Sequence, residues 1–133
     1  MGENNAVPAR ELATWKKHVA SVWSRVTVHR VDQHGHHIRA GATLPIELGA
    51  RLHGLRPEDI VVECLVGTTS DTDEFIVHAS HTFRASGEQL NGETIFRLDL
   101  QPPLAGLQYY KVRAYPYHPL LSHRFEMGCM VWV

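Results

Sequence analysis

The stretch Leu107-Gln-Tyr-Tyr-Lys-Val-Arg-Ala-Tyr115 decides the fold class, because its residues fall into two alternating sets. One set is Leu107, Tyr109, Lys111, Arg113 and Tyr115, and the other is Gln108, Tyr110, Val112 and Ala114. A period of two is typical of a strand in an antiparallel sheet, since successive side chains point to opposite faces. This stretch therefore predicts a mainly β protein.

Six further short runs outside this stretch also have the composition of strands, and polar turns separate them. They are residues 26–31, 43–52, 60–66, 75–84, 94–100 and 127–133. In the second run the apolar side chains at Leu44, Ile46, Leu48, Ala50 and Leu52 are predicted to face inward. About seven strands at such spacing predict an immunoglobulin-like antiparallel β-sandwich over residues 26–133. Tyr109, at the start of the penultimate strand, is our candidate for a tyrosine corner.

The N-terminal part of the chain has a helical period instead. Apolar residues recur at steps of three and four, at Leu12, Trp15, Val19, Val22, Trp23 and Val26. This pattern predicts an amphipathic helix over residues 9–25, with Pro8 at its first turn and a disordered leader at residues 1–8. The two tryptophans on one stripe need a surface to cover.

Size and charge exclude several classes of function. The chain has 133 residues, enough for one domain, and its 13 basic and 14 acidic residues give a formal net charge of −1. Nucleic acids and anionic membranes select basic proteins, so neither is an expected partner. The sequence has no membrane-spanning run of about 18 apolar residues and no signal-peptide pattern, so we expect a cytoplasmic protein.

The residues that could carry chemistry form no recognisable constellation. His34, His36 and His37 lie in a turn without zinc-site spacing, so we predict no metal site. Cys64 and Cys129 lie in apolar runs and are predicted to be unpaired, buried side chains in a reducing compartment. The acidic residues at 71, 73 and 74 are predicted to form a solvated turn, and the sequence contains no nucleophile elbow or phosphate loop. We therefore expect no catalytic and no cofactor-binding residue in this chain.

A second stretch carries a specific resemblance. Tyr115-Pro-Tyr-His-Pro-Leu-Leu-Ser-His-Arg-Phe-Glu-Met-Gly128 resembles the segment that closes the long bacterial and archaeal α-glucan (glycogen and maltodextrin) phosphorylases. The predicted helix with its Trp15-Lys-Lys sequence, and the turn Leu55-Arg-Pro-Glu-Asp59, are similar to parts of the same family. The resemblance covers residues 9–133, is strongest at 106–130, and is weak in the loops at 67–94.

This resemblance implies that the chain is a non-catalytic C-terminal accessory domain, either a fragment or the product of a short reading frame. The parent enzymes are glycosyltransferases that split α-1,4-glucans with phosphate to give glucose 1-phosphate, and they use pyridoxal phosphate. Their cofactor lysine and phosphate-binding arginines belong to upstream regions and have no counterpart here. The helix at 9–25 corresponds in the family to the end of the preceding catalytic region.

Three hypotheses for the role of the domain follow. In the first, it packs against the catalytic region or an oligomer partner through the Trp15 and Trp23 helix or through residues 115–125, with His118 and His123 in packing or interface roles. In the second, it binds α-glucan. The residues of this second hypothesis are Tyr115 and Tyr117 as stacking platforms, Arg124 and Glu126 as hydroxyl partners, and Trp132, for which a place in the core or at an edge is preferred. In the third, it is a free-standing immunoglobulin-like interaction protein.

Overall fold

The computed structural model describes residues 2–32, 37–39, 43–101 and 107–133 of the chain. The helix α1 spans Gly2–Val22, and short 3-10 turns follow at Trp23–Arg25 and at Pro57–Asp59. The strands are β1 Thr27–Arg30, β2 His37–Arg39, β3 Leu44–Arg51, β4 Ile60–Thr69, β5 Phe75–Thr82, β6 Arg84–Leu90, β7 Glu93–Leu100, β8 Leu107–Pro116 and β9 Val131–Trp132.

These strands form two antiparallel sheets. The first has the order β1-β3-β7-β6, and the second has the order β2-β8-β4-β5, with β9 paired to β8 beside β2. The order β1-β3-β7-β6 against β4-β8-β9 is that of the A-B-E-D and C-F-G sheets of an immunoglobulin-like sandwich. The predicted fold class, a mainly β sandwich preceded by one helix, is confirmed.

The core lies between the two sheets and is filled from alternate positions of the central strands. Ile46, Leu48 and Ala50 of β3 are completely buried, as their alternation in the sequence predicts. Val62 and Cys64 of β4 face them from the second sheet. Because every second residue of β4 and β8 points inward, the remaining residues of these strands lie on the outer face of the second sheet.

Two strands were not predicted from the sequence. β2 begins at His37, the last residue of a predicted polar turn, and it is held by backbone pairing to β8, with His37 opposite Tyr109. β6 lies in the predicted hairpin region, and most of its side chains are exposed. Both run along sheet edges, where backbone hydrogen bonds rather than apolar side chains define the strand, so no hydrophobic pattern marks them. The β6–β7 turn is made by Asn91 and Gly92, both with positive φ, as a two-residue hairpin requires.

The helix bounds also differ from those expected. We predicted helix at 9–25 after a leader at 1–8, but the backbone is helical from Gly2, and residues 23–25 form a 3-10 turn. Pro8 was expected to mark the first turn. A proline removes one backbone hydrogen bond from a helix, and here it does not mark the helix start.

The helix packs on the sandwich of its own chain. Trp15, Val19 and Val22 are buried in the common core. The indole N–H of Trp15 donates to Asp59 Oδ1 at 3.0 Å, and Asp59 Oδ2 accepts the backbone N–H of Arg56 at 2.8 Å. The backbone carbonyl of Asp59 accepts the N–H of Tyr117 at 2.8 Å. One buried residue therefore joins the helix, the turn before β4 and the chain that leaves β8.

Replacing Trp15 by Phe should lower the free energy of unfolding by about 2–3 kcal/mol, because the buried Asp59 carboxylate loses its indole donor and Oδ1 keeps only the Arg56 guanidinium at 3.5 Å. The control is Trp23→Phe, which changes ring size in the same way on a half-buried side chain whose indole makes no hydrogen bond within the described residues, and should cost about 1 kcal/mol. Urea unfolding of both variants measures the difference. Equal losses would contradict a specific role for the Trp15–Asp59 hydrogen bond.

Candidate functional site

The chain after β8 folds back across the domain and is here called the tail segment, residues 117–130. Pro116 ends β8, because a proline has no N–H to continue the ladder. The ring of His118 lies against that of Trp15, with centroids 5.1 Å apart. Glu126 pairs with Lys16 of α1 and accepts the backbone N–H of Ser122 at 2.9 Å. The tail segment is thus fixed to the helix at both of its ends.

A buried carboxylate holds the middle of the tail segment in place. Glu63 lies on the outer face of β4, directly opposite Arg113 of β8, and only 3% of its surface is exposed. Arg113 donates to Glu63 Oε1 through its guanidinium, and Arg124 Nη1 of the tail segment lies 3.7 Å from Glu63 Oε2. We call Glu63, Arg113, Arg124 and Tyr115 the Glu63 cluster. Its two guanidinium groups surround one carboxylate, so the charged side chains of the cluster carry a net positive charge.

Tyr115 is the fourth member of the Glu63 cluster. Its hydroxyl donates a long hydrogen bond of 3.5 Å to Glu63 Oε2, and its ring meets that of Phe125 edge to face at 5.0 Å. Burial raises the pKa of the Tyr115 phenol, and the Glu63 carboxylate raises it further. A buried phenol beside a carboxylate therefore remains protonated at neutral pH.

Several predicted site residues are not exposed as the hypotheses required. Only 3% of the Tyr115 surface is accessible, so its ring offers no open face for a sugar. Trp15 is buried against the sandwich and Trp23 is half-buried against the same core, so the helix stripe covers its own domain. Two contacts account for this burial: the sandwich covers the helix stripe, and Phe125 of the tail segment covers Tyr115.

The other predicted residues lie in or beside the tail segment. Tyr117, His123 and Arg124 are exposed, whereas His118 and Glu126 are partly covered by the helix. Sequence reasoning missed Glu63 and Arg113, although an acidic residue inside the apolar run 60–66 is itself a signal, since an unpaired carboxylate is rarely buried.

The tail segment leaves apolar side chains in solvent. Tyr117, Leu120 and Phe125 are 39%, 43% and 40% exposed, although the segment is fixed by the ion pairs beneath it. We call these three residues the tail surface. Rigid, exposed apolar side chains on one segment are typical of a surface that another macromolecule covers.

A separate cleft opens on the outer face of the second sheet, here called the aromatic cleft. It has a volume of about 470 Å³. Its residues are Thr69, Asp73, Phe75, Tyr109, Tyr110, Lys111, Trp132 and Val133. They come from β4, the loop before β5, β5 itself, β8, β9 and the residue after β9. These elements meet because β5, β4, β8 and β9 are neighbours in the sheet.

Other predictions about chemistry have mixed outcomes. Cys64 and Cys129 are both free, as predicted, and burial raises the pKa of the Cys64 thiol to about 12. His34 and His36 lie outside the described residues, and within the described ranges no three His, Cys, Asp or Glu side chains converge as a metal site would require.

Tyr109 lies half-buried in β8, and its role as a tyrosine corner stays a prediction. The described part of α1 is too polar to cross a bilayer, and no other helix there is long enough.

Comparison with known proteins identifies relatives. Residues 23–133 match the family model described as "Glycogen phosphorylase C-terminal domain". The chain is 32% identical over 126 residues to the glycogen phosphorylase of Mycobacterium tuberculosis (strain ATCC 25618 / H37Rv), and 28% identical over 131 residues to the maltodextrin phosphorylase of Thermococcus litoralis. These matches cover 90% and 92% of the chain but only 14% of each relative's length. No solved structure matches the chain significantly.

Replacing Glu63 by Gln should lower the free energy of unfolding by about 3 kcal/mol, because Arg113 would lose its buried counter-charge. The matched control is Glu47→Gln, which removes a carboxylate from a partly exposed pair with Arg97 and should change stability by about 0.5 kcal/mol or less. Chemical denaturation of the two variants checks the contrast. A Glu63→Gln protein as stable as the Glu47→Gln protein would show that the cluster does not hold the tail segment.

The Lys16–Glu126 pair should make stability depend on acid pH. The hydrogen bond from Lys16, helped by the backbone N–H of Ser122, lowers the pKa of Glu126 to about 2 from an ordinary 4.5. Its stabilising effect is therefore complete above about pH 5 and is lost as the pH falls towards 2. The gap in urea midpoint between the wild type and Glu126→Gln should shrink between pH 5 and pH 2.5. A gap that stays constant over this interval would contradict the assignment.

Proposed function

Because the chain belongs to the glycogen phosphorylase C-terminal domain family, we propose that it is the non-catalytic accessory domain of an α-glucan phosphorylase and packs against the catalytic region of that enzyme. The chain spans about 14% of the length of the curated relatives it matches. Most of the length of each relative therefore lies outside the matched region. A small matched region agrees with an accessory role for this chain.

The proposed parent is a cytoplasmic glycosyltransferase. It would cleave α-1,4-glucan with inorganic phosphate to give glucose 1-phosphate, with pyridoxal phosphate bound in its catalytic region. The relatives' own names, glycogen phosphorylase and maltodextrin phosphorylase, support this substrate class. The residues of the present chain supply neither phosphate chemistry nor a cofactor site in this proposal.

One observation carries the docking part of the proposal: the tail surface is exposed and apolar, yet it is anchored. Tyr117 is held by the backbone of Asp59, and Phe125 packs on Tyr115 beneath it. Residues already fixed before binding lose little conformational entropy when a partner covers them. Such a pre-organised patch suits a permanent contact between two domains of one enzyme.

The burial of Trp15 and Trp23 moves the proposed docking contact away from the helix. The helix stripe is occupied by the sandwich, so we place the contact on the tail surface rather than on the helix. The remaining hypothesis, a free-standing interaction protein, predicts a native product of the size of this chain.

The mass of the native product tests the proposal first. An antibody raised against the chain should detect, in an extract of the source organism, a product many times heavier than 15.0 kDa. A product of 15.0 kDa would overturn the accessory-domain proposal and support the free-standing protein.

Hydrogen exchange tests the docking surface in the same enzyme. The amides of residues 117–126 should exchange more slowly in the full-length enzyme than in the isolated chain, because the catalytic region would cover them. Residues 84–90, the exposed edge strand β6 of the other sheet, provide the internal control and should be unchanged. Equal exchange of the tail segment in both forms would refute docking through the tail surface, even if the native product is large.

A further inference from the structure

We propose that the aromatic cleft is a glucan-binding site that holds one or two glucosyl units of an α-glucan. The site shares only Trp132 with the one predicted from the sequence, because its other aromatic walls are Phe75 and Tyr109 rather than Tyr115 and Tyr117. The choice of glucan as the ligand rests on the proposed function. The existence of the cleft does not.

The walls of the cleft supply flat apolar surfaces. Trp132 is the most exposed of its aromatic residues, with 54% of its surface accessible, and Phe75 and Tyr109 are half-buried at its sides. A pyranose ring has one face of C–H groups, which packs well on an aromatic face while its hydroxyl groups stay in water. Because the Trp132 side chain in β9 is exposed, its indole can serve as a platform without being part of the core.

The backbone of β4 makes room for the Phe75 wall. Gly67 lies beneath this ring, and a Cβ built on Gly67 would be 3.2 Å from Phe75 Cζ and 1.9 Å from the carbonyl oxygen of Ile76. Any side chain at this position would push the ring and the neighbouring strand away. The β-bulge between Val66 and Gly67 lies at the same place in the sheet. Gly67 is thus required for the shape of the cleft.

The polar groups of the cleft suit a ligand with many hydroxyl groups. Thr69 offers a hydroxyl, Asp73 a carboxylate and Lys111 an ammonium group. Across the described ranges of the chain, none of these three side chains makes a hydrogen bond or ion pair with another residue, and the Lys111 ammonium only stacks over the Phe75 ring at 4.7 Å. Donors and acceptors that the protein leaves unpaired are available to a ligand.

The charge and size of the cleft favour a neutral sugar over an ionic ligand. Asp73 and Lys111 carry opposite charges, so the cleft has no excess charge with which to select a phosphate or a peptide of one sign. Its volume of about 470 Å³ lies within the range of roughly 300–1,000 Å³ that is usual for small-ligand sites. A neutral ring with hydroxyl groups on its rim fits both conditions.

Calorimetric titration of the 133-residue chain with maltoheptaose tests the site. The wild type should bind, and Trp132→Ala should weaken binding by about fivefold to tenfold, the contribution expected of one stacking ring. Asp73→Asn should also weaken binding, through the loss of an acceptor, and it serves as a second variant with no change in size. The control is Tyr117→Ala, which removes an exposed aromatic ring from the tail surface and should leave the affinity unchanged.

Each result decides the inference. No binding by the wild type, or unchanged affinity in both Trp132→Ala and Asp73→Asn, would overturn it, and so would a loss confined to Tyr117→Ala. Urea unfolding of the variants separates a lost contact from a lost fold. This outcome is independent of the native mass: a heavy native product without binding leaves the accessory domain standing and removes the site. Binding by a native 15.0 kDa product would keep the site and remove the accessory domain.

Discussion

The buried carboxylate of Asp59 is the constraint on which the arrangement of the whole surface depends. Three segments that are distant in the sequence meet at this one residue, because it accepts from the Trp15 indole and from the backbone of Arg56 and Tyr117. The Trp15 indole and the Arg56 N–H satisfy the two carboxylate oxygens, and a buried carboxylate without such donors would cost several kcal/mol. The helix position and the path of the chain after β8 are thus set together, and neither can move without leaving polar atoms unpaired.

Glu63 has the corresponding role on the outer face of the second sheet. A sheet face covered by apolar side chains alone would allow the tail segment several positions, since hydrophobic contacts have little directionality. Arg124 of the tail segment restricts this freedom, because its guanidinium pairs with the Glu63 carboxylate that Arg113 of β8 already holds in place. Asp59 and Glu63 therefore place the tail segment at two points, Tyr117 and Arg124. The exposed apolar side chains of the tail surface lie at or near these points.

The sequence predicts the sandwich well because a core imposes a periodic pattern. The alternation in 107–115 and in 43–52 gives β8 and β3 almost to the residue, and the stripe from Leu12 to Val22 gives the helix face. The edge strands β2 and β6 escape prediction, since backbone pairing to a neighbour leaves no mark on side-chain type. The exposure of Tyr115 was mispredicted for a similar reason: alternation places its ring on the outer face of the sheet, but only the fold reveals that Phe125 covers that face.

The aromatic cleft lies beyond sequence prediction because its walls belong to strands whose neighbourhood is known only from the topology. The same topology makes it adjoin the tail surface. The Arg113 guanidinium lies 4.9 Å from the Phe125 ring centre and 5.9 Å from that of Trp132, so one side chain contacts both regions. A catalytic region that covers Phe125 would therefore lie beside a glucan stacked on Trp132. In this arrangement the tail segment would bring a bound polysaccharide close to the enzyme body, and docking and glucan binding would be two uses of one side of the sandwich rather than alternatives.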